Sequence, residues 1–275
     1  VEVDKGPHNL LNGNGGFGGT ITLETKDAGD MLLPGEDFGG LLKYSYHTND
    51  RQGIYSGALY GRTPEGFADG LIYMSKRDGG NLKRPDGTRF AYSANDQASY
   101  LLKTNIYLSE AQTLTLSAMR SDSDGWQPFA AKRDDIAAPS QADIDKYGRE
   151  EAWRRILVYR DQTDTNYSVK WNLAPEAQPL LNLTLSYAYS KTEQHDKRPD
   201  SASKFSYLGT LGNESWVNYT DRQFDVSNES RFASGPLEHK LLLGARWHKH
   251  QRDTLMYYPS QVKNASYNYG YFQPY

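Results

Sequence analysis

The stretch LNLTLSYAYS, residues 181–190, alternates between large apolar and small side chains at every step. Leucine and tyrosine occupy the odd positions; asparagine, threonine, serine and alanine occupy the even ones. Successive side chains of a β-strand point to opposite faces of its sheet, so this pattern predicts a strand with one apolar and one small, polar face. Four further segments alternate in the same way: LLKTNIYL (101–108), TLTLSAM (113–119), YSVKWNL (167–173) and HKLLLGARWHKH (239–250). The chain is therefore predicted to be all-β.

With weaker segments included, the sequence predicts nine strands. They lie at roughly 36–46, 52–62, 67–77, 98–108, 112–122, 166–173, 180–191, 217–232 and 238–250. The connections after the second, fourth, sixth and eighth strands are short and turn-forming, namely TPEG, SEA, APEAQP and ASGPLE. Those after the third, fifth and seventh strands are long, and HTND after the first strand is the exception. An up-and-down meander would place the tight turns at one end of the sheet and the long loops at the other.

The composition is unusual for a soluble core. Only 37% of residues are hydrophobic, yet 13% are aromatic, and 21 residues are tyrosine. In an outer-membrane β-barrel the lipid covers the apolar face, aromatic girdles lie at both interfaces, and tight turns and long loops lie on opposite sides. A soluble barrel or sandwich is the alternative, but Greek-key crossings give no reason to sort the loops in this way. The sequence therefore predicts a transmembrane up-and-down antiparallel β-barrel.

Several function classes find no support in the sequence. The net charge of −3 comes from interspersed basic and acidic residues, so no basic field indicates nucleic acid binding. Cysteine is absent, which excludes disulfides and thiolate chemistry. No nucleophile elbow, HExxH motif or Walker loop is present, so we expect no enzyme. The early glycine cluster leads into the strand-like TITLET rather than a helix, which disfavours a phosphate-binding loop.

The strand count and the two ends indicate a partial barrel. Nine strands cannot close a bacterial barrel, in which the number of strands is even. The first residues, VEVDKGP, have the pattern of the middle of an element, and SYNYGYFQPY ends without a cap or tail. We therefore expect the chain to be a piece of a longer protein.

At the N-terminal side the sequence resembles one receptor family. V-E-V-x-K-G-P (1–7), the glycine cluster after it and G-G-x-I-x-x-x-T (18–25) resemble the end of the plug domain in TonB-dependent outer-membrane receptors. TKDAGDMLLPGEDFGGLLKYSY (25–46) resembles the plug-to-barrel junction of the heme and hemoglobin uptake subgroup. Residues 60–90 and 101–117 are similar to that subgroup's second to fifth strands. His8 with Asn9 departs from the small residues that many of these receptors have after Gly-Pro.

The resemblance implies an architecture of about 22 strands around a plugged lumen. Residues 1–34 would then be the C-terminal part of the plug domain and its linker, and residues 35–275 the first part of the barrel with long extracellular loops. The plug glycines would provide turns with positive φ and close packing against neighbouring strands. They are Gly13, Gly15, Gly16, Gly18 and Gly19.

The resemblance also implies a function. The expected protein binds heme, free or from a heme-carrying protein, as a transported ligand rather than as a prosthetic group. Its expected partners are the lipid of the outer membrane and the TonB complex, which supplies energy for a plug rearrangement. A ferric siderophore receptor is the nearest alternative, and a passive porin, which would lack the plug, is a more distant one. A soluble β-sandwich binding module is the third.

The ninth strand carries candidate ligand-binding residues. His248 and His250 have opposite parity to Leu241 and Leu243, which aims both imidazoles at the lumen. Tyrosines follow in the predicted loop, and imidazole or phenolate can ligate heme iron. A polar wall with interface aromatics explains the same residues, and a zinc pair would lack further ligands. The resemblance places the usual iron ligands in a plug loop before this chain and a barrel loop after it. The candidates are His248, His250, Tyr257 and Tyr258.

The long loop after the fifth strand has two further features. Residues 122–135 are acidic and suit either calcium or, more simply, solvated charge, because EF-hand spacing is absent. SQADIDKYGREEAWRRI (140–156) predicts a short helix with Ser140 as N-cap and Asp143 completing a capping-box pattern. Two arginines suit its C-terminal turn. Such a helix either contacts a protein ligand or only orders the loop.

Overall fold

The computed structural model describes residues 2–5, 18–89, 93–128, 139–197 and 214–257. Two short strands, β1 (Glu2–Lys5) and β2 (Gly19–Thr22), pair antiparallel. Nine more form one antiparallel sheet in which each strand pairs with its neighbours in sequence. They are β3 (Phe38–His47), β4 (Gln52–Arg62), β5 (Ala68–Asp78), β6 (Asp96–Ser109), β7 (Gln112–Pro128), β8 (Leu157–Leu173), β9 (Leu183–Lys197), β10 (Glu214–Ser234) and β11 (Leu237–Tyr257). The predicted nine-stranded meander is confirmed.

The sheet is open within the described residues, because no pairing joins β3 to β11 there. The tight turns lie at one end of the sheet and the long connections at the other, as the sequence predicts. No helix of the described ranges is long and apolar enough to cross a membrane.

Several strands extend further toward the long loops than predicted. β7 continues to Pro128, β8 begins at Leu157, and β10 and β11 have 21 residues each. Beyond the apolar rows these strands mix polar and apolar residues on both faces, as in Leu157 and Val158 at the start of β8, so the period-two signal disappears while the backbone pairing continues. Alternation in the sequence therefore predicts only the part of a strand that has one apolar face.

One face of the nine-stranded sheet is apolar and the other is polar. Cross-strand register places the large apolar residues of the alternating segments in continuous rows on the first face. These side chains are exposed, Leu42 to 91% of its surface. The other members include Leu59, Ile72, Met74, Leu102, Val169, Tyr187, Phe224, Leu243 and Trp247. Monomeric soluble proteins rarely expose a contiguous apolar surface of this size, whereas lipid covers it in a barrel.

Five tyrosines border the apolar face on the side of the long loops. We call Tyr44, Tyr55, Tyr100, Tyr167 and Tyr189 the tyrosine row. The rings of Tyr44 and Tyr55 have centroids 4.9 Å apart, and those of Tyr167 and Tyr189 stack at 6.2 Å. Along the sheet the row shifts from strand to strand, as the stagger of tilted strands in a barrel requires. Tyrosine favours such a position because one end of its ring is apolar and the other is wet.

The segment before β3 lies against the polar face of the sheet. A short 3-10 helix spans Ala28–Asp30, and the side chain of Ala28 is buried. The ammonium of Lys103 in β6 lies 2.7 Å from the Asp27 carboxylate and donates a hydrogen bond to the carbonyl of Thr25 at 3.0 Å. Lys103 lies on the polar face, opposite in parity to Leu102. This segment is thereby attached to the wall of the sheet.

The predicted loop helix is present but broken in two. α1 spans Gln141–Tyr147 and α2 spans Arg149–Arg154. The Ser140 side chain accepts a hydrogen bond from the backbone N–H of Asp143, which confirms the predicted N-cap. The prediction of a single helix is wrong, because Gly148 has φ of 80° and interrupts the helix. Glycine adopts this backbone conformation at little cost.

A buried ion pair joins β8 and β9 near the long loops. Arg160 and Asp196 lie directly opposite each other, and their side chains are only 9% and 1% exposed. The guanidinium donates two hydrogen bonds to the carboxylate, at 2.7 and 2.9 Å. Val158 on the same face of β8 is fully buried. A small packed region therefore lies in this part of the sheet, beyond the apolar rows.

The tip of the β3–β4 connection contacts the segment after β5, and this contact yields the first testable prediction. The backbone N–H of Gly80 donates to the carbonyl of Asp50 at 2.8 Å, and a Cβ at Gly80 would lie 2.8 Å from the same oxygen. We expect Gly80→Ala to destabilise this contact by about 1–3 kcal/mol, since the backbone must shift. The rate of backbone hydrogen exchange at residues 79–81 of the full-length protein measures this loss of stability. Gly29→Ala is the control, because nothing lies within 4 Å of its Cβ position. Equal exchange in both variants would contradict the prediction.

Candidate functional site

The candidate site lies on the polar face of the β10–β11 hairpin, just beyond the apolar rows. The turn at Gly235, with φ of 61°, sets the register so that Asp221 faces His250 and Gln223 faces His248. On the apolar face the rows end at Trp247. The two histidines therefore lie on the face predicted from their parity, in the part of the hairpin toward the long loops.

Asp221 brings the two histidines together. One oxygen of its carboxylate, Oδ1, accepts a hydrogen bond from His248 Nε2 at 2.8 Å and another from His250 Nδ1 at 2.9 Å. All three side chains are partly exposed, between 39% and 50%. The shared acceptor fixes both rings relative to each other.

The two histidines use different ring nitrogens, which makes them chemically unequal. In neutral imidazole one nitrogen carries the proton and the other holds the lone pair. A neutral His250 that donates through Nδ1 carries its lone pair on Nε2, the ring nitrogen that points away from its own backbone. His248 donates through Nε2, so its lone pair lies on Nδ1, beside the main chain. A carboxylate on the far nitrogen also orients a metal-ligating imidazole and raises its basicity. Only His250 therefore has the arrangement of a supported metal ligand.

The charge of Asp221 is stabilised by its neighbours. Burial alone would raise the pKa of this carboxyl, but the hydrogen bonds from His250 and His248 outweigh that effect and lower it. Asp221 is therefore an anion that holds both imidazole N–H groups over the neutral pH range.

Aromatic and cationic groups flank the histidines on the same polar face. The ring of Tyr219 lies 6.4 Å from that of His250, and the guanidinium of Arg252 lies 5.3 Å from the Tyr219 ring centroid. Nε of Arg252 is buried and has no hydrogen-bond partner among the residues that the structure describes. On the other side, Arg246 pairs with Asp225. The polar face of the β10–β11 hairpin thus presents an imidazole nitrogen, the face of an aromatic ring and an arginine. This combination suits a planar, anionic, iron-containing ligand.

Within the described residues, the other candidates from the sequence do not join the cluster of Asp221, His248 and His250. Tyr257 is the last residue of β11, opposite Glu214, and so belongs to a strand rather than to the predicted loop. Tyr258 lies outside the described residues. Of the plug glycines, Gly13, Gly15 and Gly16 also lie outside them.

Two plug glycines are described. Gly19 opens β2 with φ of 130°, a region that favours glycine. Among the described residues, a Cβ at Gly18 would meet nothing within 4 Å.

The acidic loop shows protein partners for its described carboxylates. Asp122 pairs with Arg120 at 2.8 Å, and Asp124 accepts a hydrogen bond from the Tyr159 hydroxyl at 2.5 Å. Across the described ranges, no group of three or more His, Asp or Glu side chains is arranged to hold a metal ion.

Sequence reasoning missed Asp221, Tyr219 and Arg252. The signal was available in the turn ASGPLE, because a turn centred on Gly235 fixes every cross-strand pair of the hairpin. Parity within one strand gives the face of a residue, whereas its neighbours on that face depend on register.

Sequence comparison finds similarity to bacterial proteins named heme or hemin receptors, whereas no family model matches the chain. It is 47% identical to TonB-dependent heme receptor A of Haemophilus ducreyi over 274 residues, which cover 100% of this chain and 37% of that protein. The protein of the same name from Haemophilus influenzae is also 47% identical, over 275 residues and with the same coverage. The hemin receptor of Yersinia pestis is 27% identical over an alignment that covers 92% of this chain and 33% of that protein. The chain thus spans little more than a third of the length of these relatives.

Solved structures share the fold. The hemophore receptor HasR of Serratia marcescens, solved as a double mutant with its hemophore HasA and heme, matches with a TM-score of 0.71 at 20% identity, over 92% of this chain and 32% of that chain. The FrpB iron transporter from Neisseria meningitidis matches with a TM-score of 0.72 at 20% identity, over 92% of this chain and 37% of that chain. Identity along the whole chain, together with this fold, shows that the chain belongs to the TonB-dependent family of outer-membrane receptors.

Proposed function

We propose that the receptor to which this chain belongs binds heme at its extracellular side and imports it by a rearrangement of its plug, with energy supplied through the TonB complex. The observation that carries this proposal is the 47% identity, along the whole chain, to proteins named heme receptors. Heme is then cargo rather than a prosthetic group, and the protein performs a binding and transport step without bond chemistry. A heme-carrying protein is the proposed source of the cargo, and lipid surrounds the apolar face.

We further propose that residues 1–34 are the end of the plug and its linker, and that residues 35–275 begin the barrel wall. The separate pairing of β1 with β2 supports this division. The attachment of Asp27 to Lys103 supports a linker that lies inside the barrel, against its polar face. The plug glycines, from Gly13 to Gly19, would allow the turns of the plug near this junction.

The histidine cluster is our proposed heme contact on the lumenal wall. His250 would ligate iron through its Nε2, and Asp221 would hold that imidazole in place. Arg252 offers a guanidinium for a heme propionate, since arginine binds carboxylates through paired N–H groups. Tyr257, the last residue of β11, and Tyr258, the next residue in the sequence, remain proposed phenolate ligands.

A heme titration of the full-length receptor in detergent tests the proposed function. We expect a saturable shift of the Soret band at stoichiometric heme, because axial ligation by imidazole or phenolate changes the electronic spectrum of the iron. Metal-free protoporphyrin is the control for non-specific uptake into the micelle. A receptor that changes the heme spectrum no more than empty micelles do would contradict heme as cargo and favour a ferric siderophore.

A further inference from the structure

The apolar face carries basic residues at its border with the long loops. On that face, at or just beyond the tyrosine row, each of five strands presents one cation. We call these residues the basic row: Lys76, Arg120, Lys191, Arg222 and Lys249. Two of them have an acidic neighbour on the same strand, since Arg120 pairs with Asp122 and Lys191 with Glu193.

The other three cations make no ion pair within the described residues. Arg222 and Lys249 lie directly opposite each other on β10 and β11. Like charges in this position destabilise a sheet unless an anion lies between them. Lys76 is exposed at the border of the lipid-facing surface, where a long basic side chain can reach the lipid headgroups. Lys76, Arg222 and Lys249 therefore have no carboxylate partner among the described residues, although Arg222 lies over the Tyr189 ring.

A groove lies beside Lys76 on the same face. It has a volume of about 610 Å³, which is within the size range of small-molecule sites. Gly57, which has no side chain, and Ala98, which has a small one, leave room in its lining. The larger lining residues are almost all apolar or aromatic: Leu42, Tyr44, Tyr55, Met74 and Tyr100. Lys76 is directly opposite Tyr55 and Ala98, so the cation lies toward the loops and Leu42 toward the membrane interior.

We propose that this groove binds one membrane lipid with a phosphorylated headgroup. An acyl chain lies along Leu42, Gly57 and Met74, and the phosphate lies at the Lys76 ammonium. An apolar groove that ends at an unpaired cation matches the two parts of such a lipid, and basic residues at the membrane surface attract anionic headgroups. The site is on the opposite face of the sheet from the histidine cluster, so it is independent of cargo binding.

Lipid binding to the full-length receptor tests this proposal. The receptor is delipidated in detergent, phosphatidylglycerol is added, and bound lipid is counted by native mass spectrometry. We expect one retained lipid, retained about fivefold less in Lys76→Gln, the loss expected when one cation near the headgroup is removed. Lys170→Gln is the matched control, because Lys170 is an exposed lysine on the polar face. Equal retention in these two lysine variants would overturn the phosphate contact.

Two further arms test the acyl-chain contact. A Cβ at Gly57 would lie 3.4 Å from Leu42 Cδ2, an ordinary contact, so Gly57→Leu is expected to fold and to fill the groove. We expect this variant to lose both phosphatidylglycerol and the neutral lipid diacylglycerol. Retention of phosphatidylglycerol at the wild-type level would overturn the groove as the acyl site. Displacement of the lipid by free glycerol phosphate at equal concentration would also overturn the groove as the acyl site, since it would show that the site binds only the headgroup.

Discussion

Replacing Asp196 with alanine is expected to open the end of the sheet nearest the long loops. The substitution leaves the guanidinium of Arg160 buried without the carboxylate that now accepts two of its hydrogen bonds. Breaking a buried ion pair by removing one partner typically costs about 3–5 kcal/mol, because the remaining charge keeps its desolvation penalty. That energy is enough to detach a local unit without unfolding the whole sheet.

Hydrogen exchange of the full-length receptor measures this opening directly. Protection at residues 157–160 and 193–197 should fall by the factor that corresponds to the lost free energy, while β3–β6 should keep theirs. Asp161→Ala is the matched control: this half-exposed carboxylate lies in β8, next to Arg160 in sequence and 3.6 Å from Lys197, and such pairs contribute at most about 1 kcal/mol.

A double variant distinguishes charge from packing. Arg160→Leu with Asp196→Leu removes both charges together and is expected to recover much of the loss, because a buried pair replaced by apolar residues is often nearly neutral. Unchanged protection in Asp196→Ala would mean that water reaches the Arg160 side chain and that the pair is not structurally important.

Heme binding is expected to respond very differently to the two neighbouring histidines. His250→Ala removes the proposed ligand itself and should weaken heme binding to the full-length receptor by at least the roughly 10–100-fold that loss of a supporting group costs a metal site. His248→Ala should have a much smaller effect, since its Nε2 is already engaged by Asp221 and its Nδ1 lies beside the main chain. Asp221→Asn should fall between them, because an amide holds the His250 ring less firmly than a carboxylate does.

The spectrum separates ligation from a general loss of structure. His250→Ala should move the Soret maximum as well as the midpoint of the titration, whereas a variant that only disturbs the hairpin should lower occupancy without a new maximum. Wild-type titrations in both histidine variants would remove this cluster from the heme path and leave the iron ligands elsewhere in the receptor.

The sheet topology was predictable from the sequence because two independent signals agreed. Alternation located the strands, and the short turns such as TPEG and ASGPLE fixed their order and direction. Even β4, which alternates poorly, was predicted with its observed bounds. The strand extensions were not predictable in this way, since mixed polar and apolar residues on both faces have no period.

The loop and the site show where local reasoning stops. The cap at Ser140 was predictable because it involves residues three apart, but the break at Gly148 was not, since one glycine costs a helix only about 1 kcal/mol and is often tolerated. Similarly, parity placed His250 on the polar face, whereas its contact with Asp221 depends on pairing across the hairpin.

The length of the last hairpin has a consequence for how cargo arrives. Strands of 21 residues extend roughly 70 Å, or roughly 50 Å along the membrane normal at a tilt of about 45°, which is about twice the height of a barrel's apolar band. A carrier protein would therefore meet a rim standing well clear of the bilayer. A handover of the proposed heme cargo at that height would take place well away from the lipid of the bilayer.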